Sequence, residues 1–178
     1  VAPQSLNDRL DGGAKRGHHI VVFGPVESGK SLTAINMACG FARQGHRGLY
    51  FINEDRPQDI ILRMVSNLSG LTKYEIQQNP KKARDLAMDR GFGNIIVVGC
   101  SPGTPQQLRD YNERYDPTWN VYDQLRNFKV KAENRTNQLE RAATEVRNIT
   151  KETNTLGVSV TQAGDSASGK LILETGDV

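Results

Sequence analysis

The stretch HIVVFGPVESGKS, residues 19–31, decides how the rest of the chain is read. Its last eight residues, Gly24 to Ser31, fit G-x-x-x-x-G-K-[ST], the spacing of a phosphate-binding loop. Glycines let backbone N–H groups curl around the β- and γ-phosphates of a nucleoside triphosphate. Lys30 supplies a mobile positive charge, and the Ser31 hydroxyl suits a Mg²⁺ ion. Such a loop needs a strand before it and a helix after it. The apolar run 19–23 predicts the strand. Residues 31–44 predict the helix, with Leu32, Ile35, Met37, Ala38 and Phe41 forming an apolar face and Gly45 stopping it. The candidate nucleotide-binding segment is therefore Gly24, Pro25, Val26, Glu27, Ser28, Gly29, Lys30, Ser31 and Leu32.

Working outward, GLYFIN (48–53) predicts a second buried strand with Glu54 and Asp55 at its carboxyl end. A helix follows from Pro57, through Ile60, Ile61, Met64, Val65 and Leu68, to Gly70. Residues 71–93 predict one or two short helices, and NIIVVG (94–99) a third strand buried on both faces. Thr104 caps a helix with Pro105 at its first position, running to about residue 115. TWNVYD (118–123) predicts a fourth strand, with Asn120 interrupting its apolar run. Residues 124–135 read as a basic loop, residues from about 137 as a helix, and LGVSVT (156–161) as a fifth strand with Gln162 at its end. The longest soft stretch is 163–170, and 171–173 begin a further apolar element. Strands alternating with helices predict an α/β fold, a parallel sheet of at least five strands covered on both faces.

The 178 residues carry 23 basic and 20 acidic side chains, a formal net charge of +3. That balance permits nucleic-acid contact without arguing for it. Aromatic residues are too sparse, at 6%, to form an evident stacking platform for single strands. Cys39 and Cys100 have neither metal-site nor C-x-x-C spacing and lie in apolar segments, so they read as buried free thiols. His18, His19 and His46 lack an accompanying acid or thiol cluster and read as surface or strand-edge histidines. No apolar stretch is long enough to span a membrane. Together with free thiols and the nucleotide loop, this points to the cytoplasm. The chain opens on Val1 and stops at Val178 just after an apolar run, which reads as a piece of something longer.

In an open parallel sheet the ligand sits at the carboxyl ends of the strands. Lys30 and Ser31 follow strand one, Glu54 ends strand two, Asp123 strand four and Gln162 strand five. Phosphoryl transfer to water needs a phosphate cradle, a carboxylate for the metal, a base to orient water and a polar group that reads the γ-phosphate. Asp123 fits the metal role beside Ser31. Glu54 fits the base, with Asp55 as an adjacent competitor.

The runs RGHHIVVFGPVESGKS (16–31) and LYFINEDRPQDIILRM (49–64) resemble the ATPase domain of RecA-fold proteins, nearest the DnaB-type replicative helicases. The segment NRTNQLERAATEVRNITKETNTLGVSVTQ (134–162) is similar to that family's helix–strand–glutamine block. The resemblance covers about residues 6–173. It implies a single RecA-like P-loop domain over residues 1–178, without its C-terminal strands. Strand five would lie beside strand one, followed by four, two and three. It further implies ATP and Mg²⁺ as ligands, with Lys30 on the β/γ-phosphates, Ser31 and Asp123 at the metal, Glu54 activating water and Gln162 sensing the γ-phosphate. Partners implied are single-stranded DNA and further copies of the chain, in a hexameric ring whose arginine finger comes from a neighbouring subunit. That arginine would lie beyond Val178, and the family's primase-interaction domain would precede this chain. By the same analogy Arg126, Lys129, Lys131, Arg135 and Lys170 are DNA-phosphate candidates. A recombinase filament and a low-turnover ATP-dependent assembly switch are the alternatives. Val26-Glu27 departs from the small residues usual in the loop and motivates the second of these.

Overall fold

The computed structural model describes residues 8, 13–131 and 135–162. Within them each apolar run becomes a strand of one parallel sheet: β1 (His19–Gly24), β2 (Gly48–Ile52), β3 (Ile95–Gly99), β4 (Trp119–Asp123) and β5 (Leu156–Gln162). Their lateral order is β1-β5-β4-β2-β3, the order the family resemblance implies. The helices are α1 (Lys30–Arg43), α2 (Pro57–Ser69), α3 (Lys73–Gln78), α4 (Pro80–Asp89), α5 (Pro105–Tyr115) and α6 (Arg135–Glu152). Residues 163–173, with the soft stretch and the further apolar element expected there, lie outside the described residues.

Local chemistry sets the helix limits. Gly45 takes φ 83 after α1, its N–H donating to Ala42 O at 3.0 Å while His46 N–H reaches Phe41 O at 3.1 Å. This pair of bonds is the Schellman closure that a left-handed glycine permits. At α5, Thr104 Oγ1 accepts from Gln107 N and the Gln107 side chain accepts from Thr104 N at 3.0 Å, a complete capping box with Pro105 behind it.

Strand alternation sorts the core into two layers. Tyr50 and Ile52 of β2, Trp119 and Val121 of β4, and Leu156, Val158 and Val160 of β5 pack against α1, α2 and α4. Leu49, Phe51 and Tyr122 face the other way, onto α5 and α6. Burying a side chain such as Ile35, Ile60 or Leu68 is worth about 1.5–3 kcal/mol, so these layers hold the sheet flat against its helices. Gly48 is required by one neighbour: a Cβ there would lie 2.1 Å from the Trp119 ring, whose indole N–H donates to His46 O at 2.9 Å.

The third strand packs on both faces as expected, Ile95 and Val97 against the α1 layer and Ile96 and Val98 against the opposite one, and it is an edge strand of the described sheet with Gly99 exposed. Three expectations need correction. Leu32 does not join the α1 core face but is 55% exposed, because it shares a helical stripe with exposed Asn36 and Arg43. The segment after β4 is not a simple basic loop. It begins with a 3₁₀ turn, Leu125–Asn127, pinned by buried Leu125 and Phe128. Asn120, finally, does not break its strand: its amide donates to Asn112 Oδ1 at 2.7 Å and Thr155 Oγ1 at 3.1 Å inside the α5/α6 layer.

Candidate functional site

Register and alternation bring the chemistry-bearing residues to one corner. Ile52 pairs with Asp123, Asp123 with Val160, and Gly24 with Gln162. Asp123 and Gln162 follow the alternation of Val121 and Val160, which places both on the sheet face covered by α1. The helix whose N-terminus carries Lys30 and Ser31 therefore starts over the carboxylate and beside the glutamine.

The loop itself is shaped for close approach. Gly29 takes φ 83 at the N-cap of α1, and a Cβ on Gly24 would meet Ser28 Oγ at 2.8 Å. Ser28 Oγ donates to Pro25 O at 2.8 Å, closing the turn, and Lys30 Nζ donates to the same carbonyl. Burial lowers the Lys30 pKa, while the charges of Glu54 and Asp123 oppose that shift. Glu27 is exposed and adopts φ 60, a left-handed conformation costly for a side chain that is not glycine. Val26 is 68% exposed.

Ser31 and Asp123, 92 residues apart in sequence, are joined by a hydrogen bond of 3.3 Å from Ser31 Oγ to Asp123 Oδ1. The second carboxylate oxygen, Oδ2, accepts from the buried Tyr50 hydroxyl at 2.9 Å. Asp123 is only 4% exposed. Burial raises its pKa, and the hydrogen bonds from Tyr50 and Ser31 hold the rise back. Tyr50 was not foreseen. The phenol on a buried strand two residues before the end of β2 carries no motif, and only the β2–β4 register aims it at Asp123. The Asp123–Gln124 peptide bond is cis, and Gln124 N–H donates to Asn53 Oδ1 at 2.7 Å. A serine hydroxyl beside a carboxylate is a hard-oxygen donor pair of the kind Mg²⁺ takes together with substrate phosphates, so these residues fit that ion.

At the end of β2 the two carboxylates have different neighbours. Asp55 forms an ion pair with Arg63 of α2 at 3.1 Å. The charge of Glu54 acts on Lys30 of the loop. Partial desolvation, then the charges of Asp123 and Asp55, raise the Glu54 pKa, with Lys30 and Arg126 opposing. A carboxylate shifted upward toward neutrality is better matched to taking a proton from water.

Of the cations assigned to DNA, Arg126 stands elsewhere. It is half-buried, and its Nη1 and Nη2 donate to Gln162 Oε1 at 3.2 Å and Gln162 O at 2.9 Å. Lys129 and Lys131 are exposed and line an open cavity of about 710 Å³ with Arg141 and Glu145. Arg135 opens α6, and Lys170 lies outside the described residues. Cys39 and Cys100 are buried free thiols, burial pushing each up to about 11. Among the described residues no helix is long and apolar enough to cross a membrane.

Compared as a sequence, the chain matches no family model and no curated protein. Compared as a structure, it is similar to 412 solved chains, two of which follow. One is the subject of "The Structure Of A DnaB-Like Replicative Helicase And Its Interactions With Primase", at TM-score 0.80 and 15% identity over 96% of this chain. The other is the "ATPase Domain of G40P", at TM-score 0.81 and 16% identity over 97% of this chain. The chain spans 46% of the first and 68% of the second. At such identities the likeness is one of fold: this is the RecA-like α/β fold of DnaB-like helicase ATPase domains.

Proposed function

We propose that the chain is an ATP-hydrolysing motor domain of the replicative-helicase type, acting on single-stranded DNA as one subunit of a ring. The observation that carries this reading is the Ser31–Asp123 contact at 3.3 Å, with Gln162 registered on Gly24 in the neighbouring strand. A phosphate loop alone binds nucleotide. A loop serine, a strand-end carboxylate, a candidate base and a strand-end amide in one corner make the parts list for transfer to water.

Each residue has a task set by its chemistry. The loop amides and the N-terminus of α1 hold the phosphates. Lys30 exchanges the Pro25 carbonyl for phosphate oxygens. Ser31 and Asp123 would hold Mg²⁺, which would supply neutralisation of the charge that develops on the phosphates. Glu54 takes the proton of an attacking water and orients it, and Gln162 donates to the γ-phosphate. The Ser31–Asp123 pair stays fixed because Tyr50 holds the other carboxylate oxygen. Completion by an arginine from a neighbouring subunit, and a hexameric ring, belong to this reading through the likeness to helicase domains.

The test is hydrolysis by the full-length protein, with and without single-stranded DNA. Activity stimulated by DNA and abolished by Lys30→Ala is the expected result. Background hydrolysis unaffected by that substitution would leave the assembly-switch reading in its place.

A further inference from the structure

A γ-phosphate is an acceptor at neutral pH, so a residue that reads it must present a donor. A glutamine amide offers a donor NH₂ and an acceptor oxygen of nearly the same shape, and a free amide turns either end outward. Something must choose. Gln162 Oε1 accepts from Arg126 Nη1 at 3.2 Å, and the Gln162 main-chain oxygen accepts from Nη2 at 2.9 Å. Guanidinium carries donors only, so the amide oxygen is the end it must take and the NH₂ is the end it leaves free.

The mount of Arg126 is itself held. It lies in the 3₁₀ turn Leu125–Asn127, between the buried side chains of Leu125 and Phe128. Gln138 of α6 donates to the carbonyls of both Arg126, at 3.4 Å, and Phe128, at 3.2 Å. The charge of Arg126 reaches Lys30 and Glu54, which locates it at the phosphate corner rather than on an outer DNA-facing surface.

We infer that Arg126 is a positioning residue for nucleotide recognition: its two-pronged grip on Gln162 fixes the amide with the NH₂ toward the γ-phosphate and pins the exit of β5. The inference rests on the reading of Gln162 as the γ-phosphate sensor. It separates Arg126 from Lys129 and Lys131, which keep the exposed positions suited to a backbone phosphate. Arg126 does not touch the nucleotide. It acts through the glutamine.

The experiment compares Arg126→Ala, Arg126→Lys, Gln162→Ala and the Arg126→Ala/Gln162→Ala double variant of the full-length protein. For each, equilibrium affinity is measured for Mg-ADP and for the Mg complex of the β,γ-imido ATP analogue. Gln162→Ala and Arg126→Ala should each lower the preference for the analogue over ADP by about tenfold. ADP affinity should stay within about twofold of the parent, since ADP has no γ-phosphate to read. The double variant should lose no more than Gln162→Ala, because both changes remove one interaction. Arg126→Lys keeps the charge without the fork and should show an intermediate loss. If Gln162→Ala keeps the preference, the sensor reading fails and this inference with it. If Gln162→Ala loses the preference while Arg126→Ala keeps it, or the two losses add, only the role of Arg126 is overturned. Should Arg126→Ala lose its cooperative unfolding transition, Arg126→Lys decides: an undiminished preference overturns the inference and a reduced one supports it.

Discussion

Glu27 is the residue that departs most from what its surroundings ask for. It puts a carboxylate beside a triphosphate loop and holds φ at 60, where asparagine or glycine is more at ease. Its exposure resolves the apparent conflict, since water screens the charge and nothing buries it. The repulsion should be weak and salt-sensitive rather than prohibitive. Glu27→Asn keeps a residue that tolerates the left-handed region and deletes the charge. Mg-ATP affinity should rise about two- to fivefold at low ionic strength, the gain fading above about 0.5 M salt. Titration calorimetry at two salt concentrations checks this, and an unchanged affinity at low salt would contradict it. Tyr50 makes the opposite point. It is an apolar-looking strand residue whose single hydroxyl does the orienting of Asp123.

Among the elements, β4 shows how a polar interruption becomes a tie. Asn120 joins β4 to α5 through Asn112, whose own amide donates to Leu108 O at 2.7 Å, and to the start of β5 through Thr155. Asn120→Val removes both donors and leaves Asn112 Oδ1 buried without one. The cost should be about 1–3 kcal/mol in the urea-unfolding free energy. Part of it should return in the Asn112→Leu/Asn120→Val double variant, which removes the orphan as well. The five strands, the helices and the caps at Thr104 and Gly45 were legible in the sequence because each depends on local spacing. So were Lys30, Ser31, Asp123 and Gln162, as strand-end or loop residues. The pairing of Arg126 with Gln162 was not, since it joins a 3₁₀ turn to a strand end 36 residues away and a basic residue in a basic run carries no mark of its partner. Nor was the edge position of β3, because an apolar run records what buries a segment and not how many neighbours it has.

At the scale of the whole molecule, stability should depend on pH through His19. Burial, followed by the charge of Arg147, lowers its pKa from 6.5 to about 4, and the neutral ring shares a hydrogen bond of 2.7 Å with Ser159. Between those values the unfolded chain takes up a proton that the folded one refuses. Stability from this source is therefore complete above about pH 6.5 and lost as pH falls toward 4, by up to about 3 kcal/mol. Urea midpoints at pH 7 and 4.5 should differ accordingly, and His19→Gln should flatten the difference; an equal pH dependence in that variant would rule His19 out as its source. The pairing of Gly24 with Gln162 has a consequence in time. A chain emerging from the ribosome makes its phosphate loop well before the strand that flanks it. At ~5–20 residues per second, β1 spends roughly 7–28 seconds without its neighbour, the edge that β5 will cover still open. Nucleotide cannot shorten that interval, because the corner that would bind it does not yet exist; it can only lock the fold after β5 arrives.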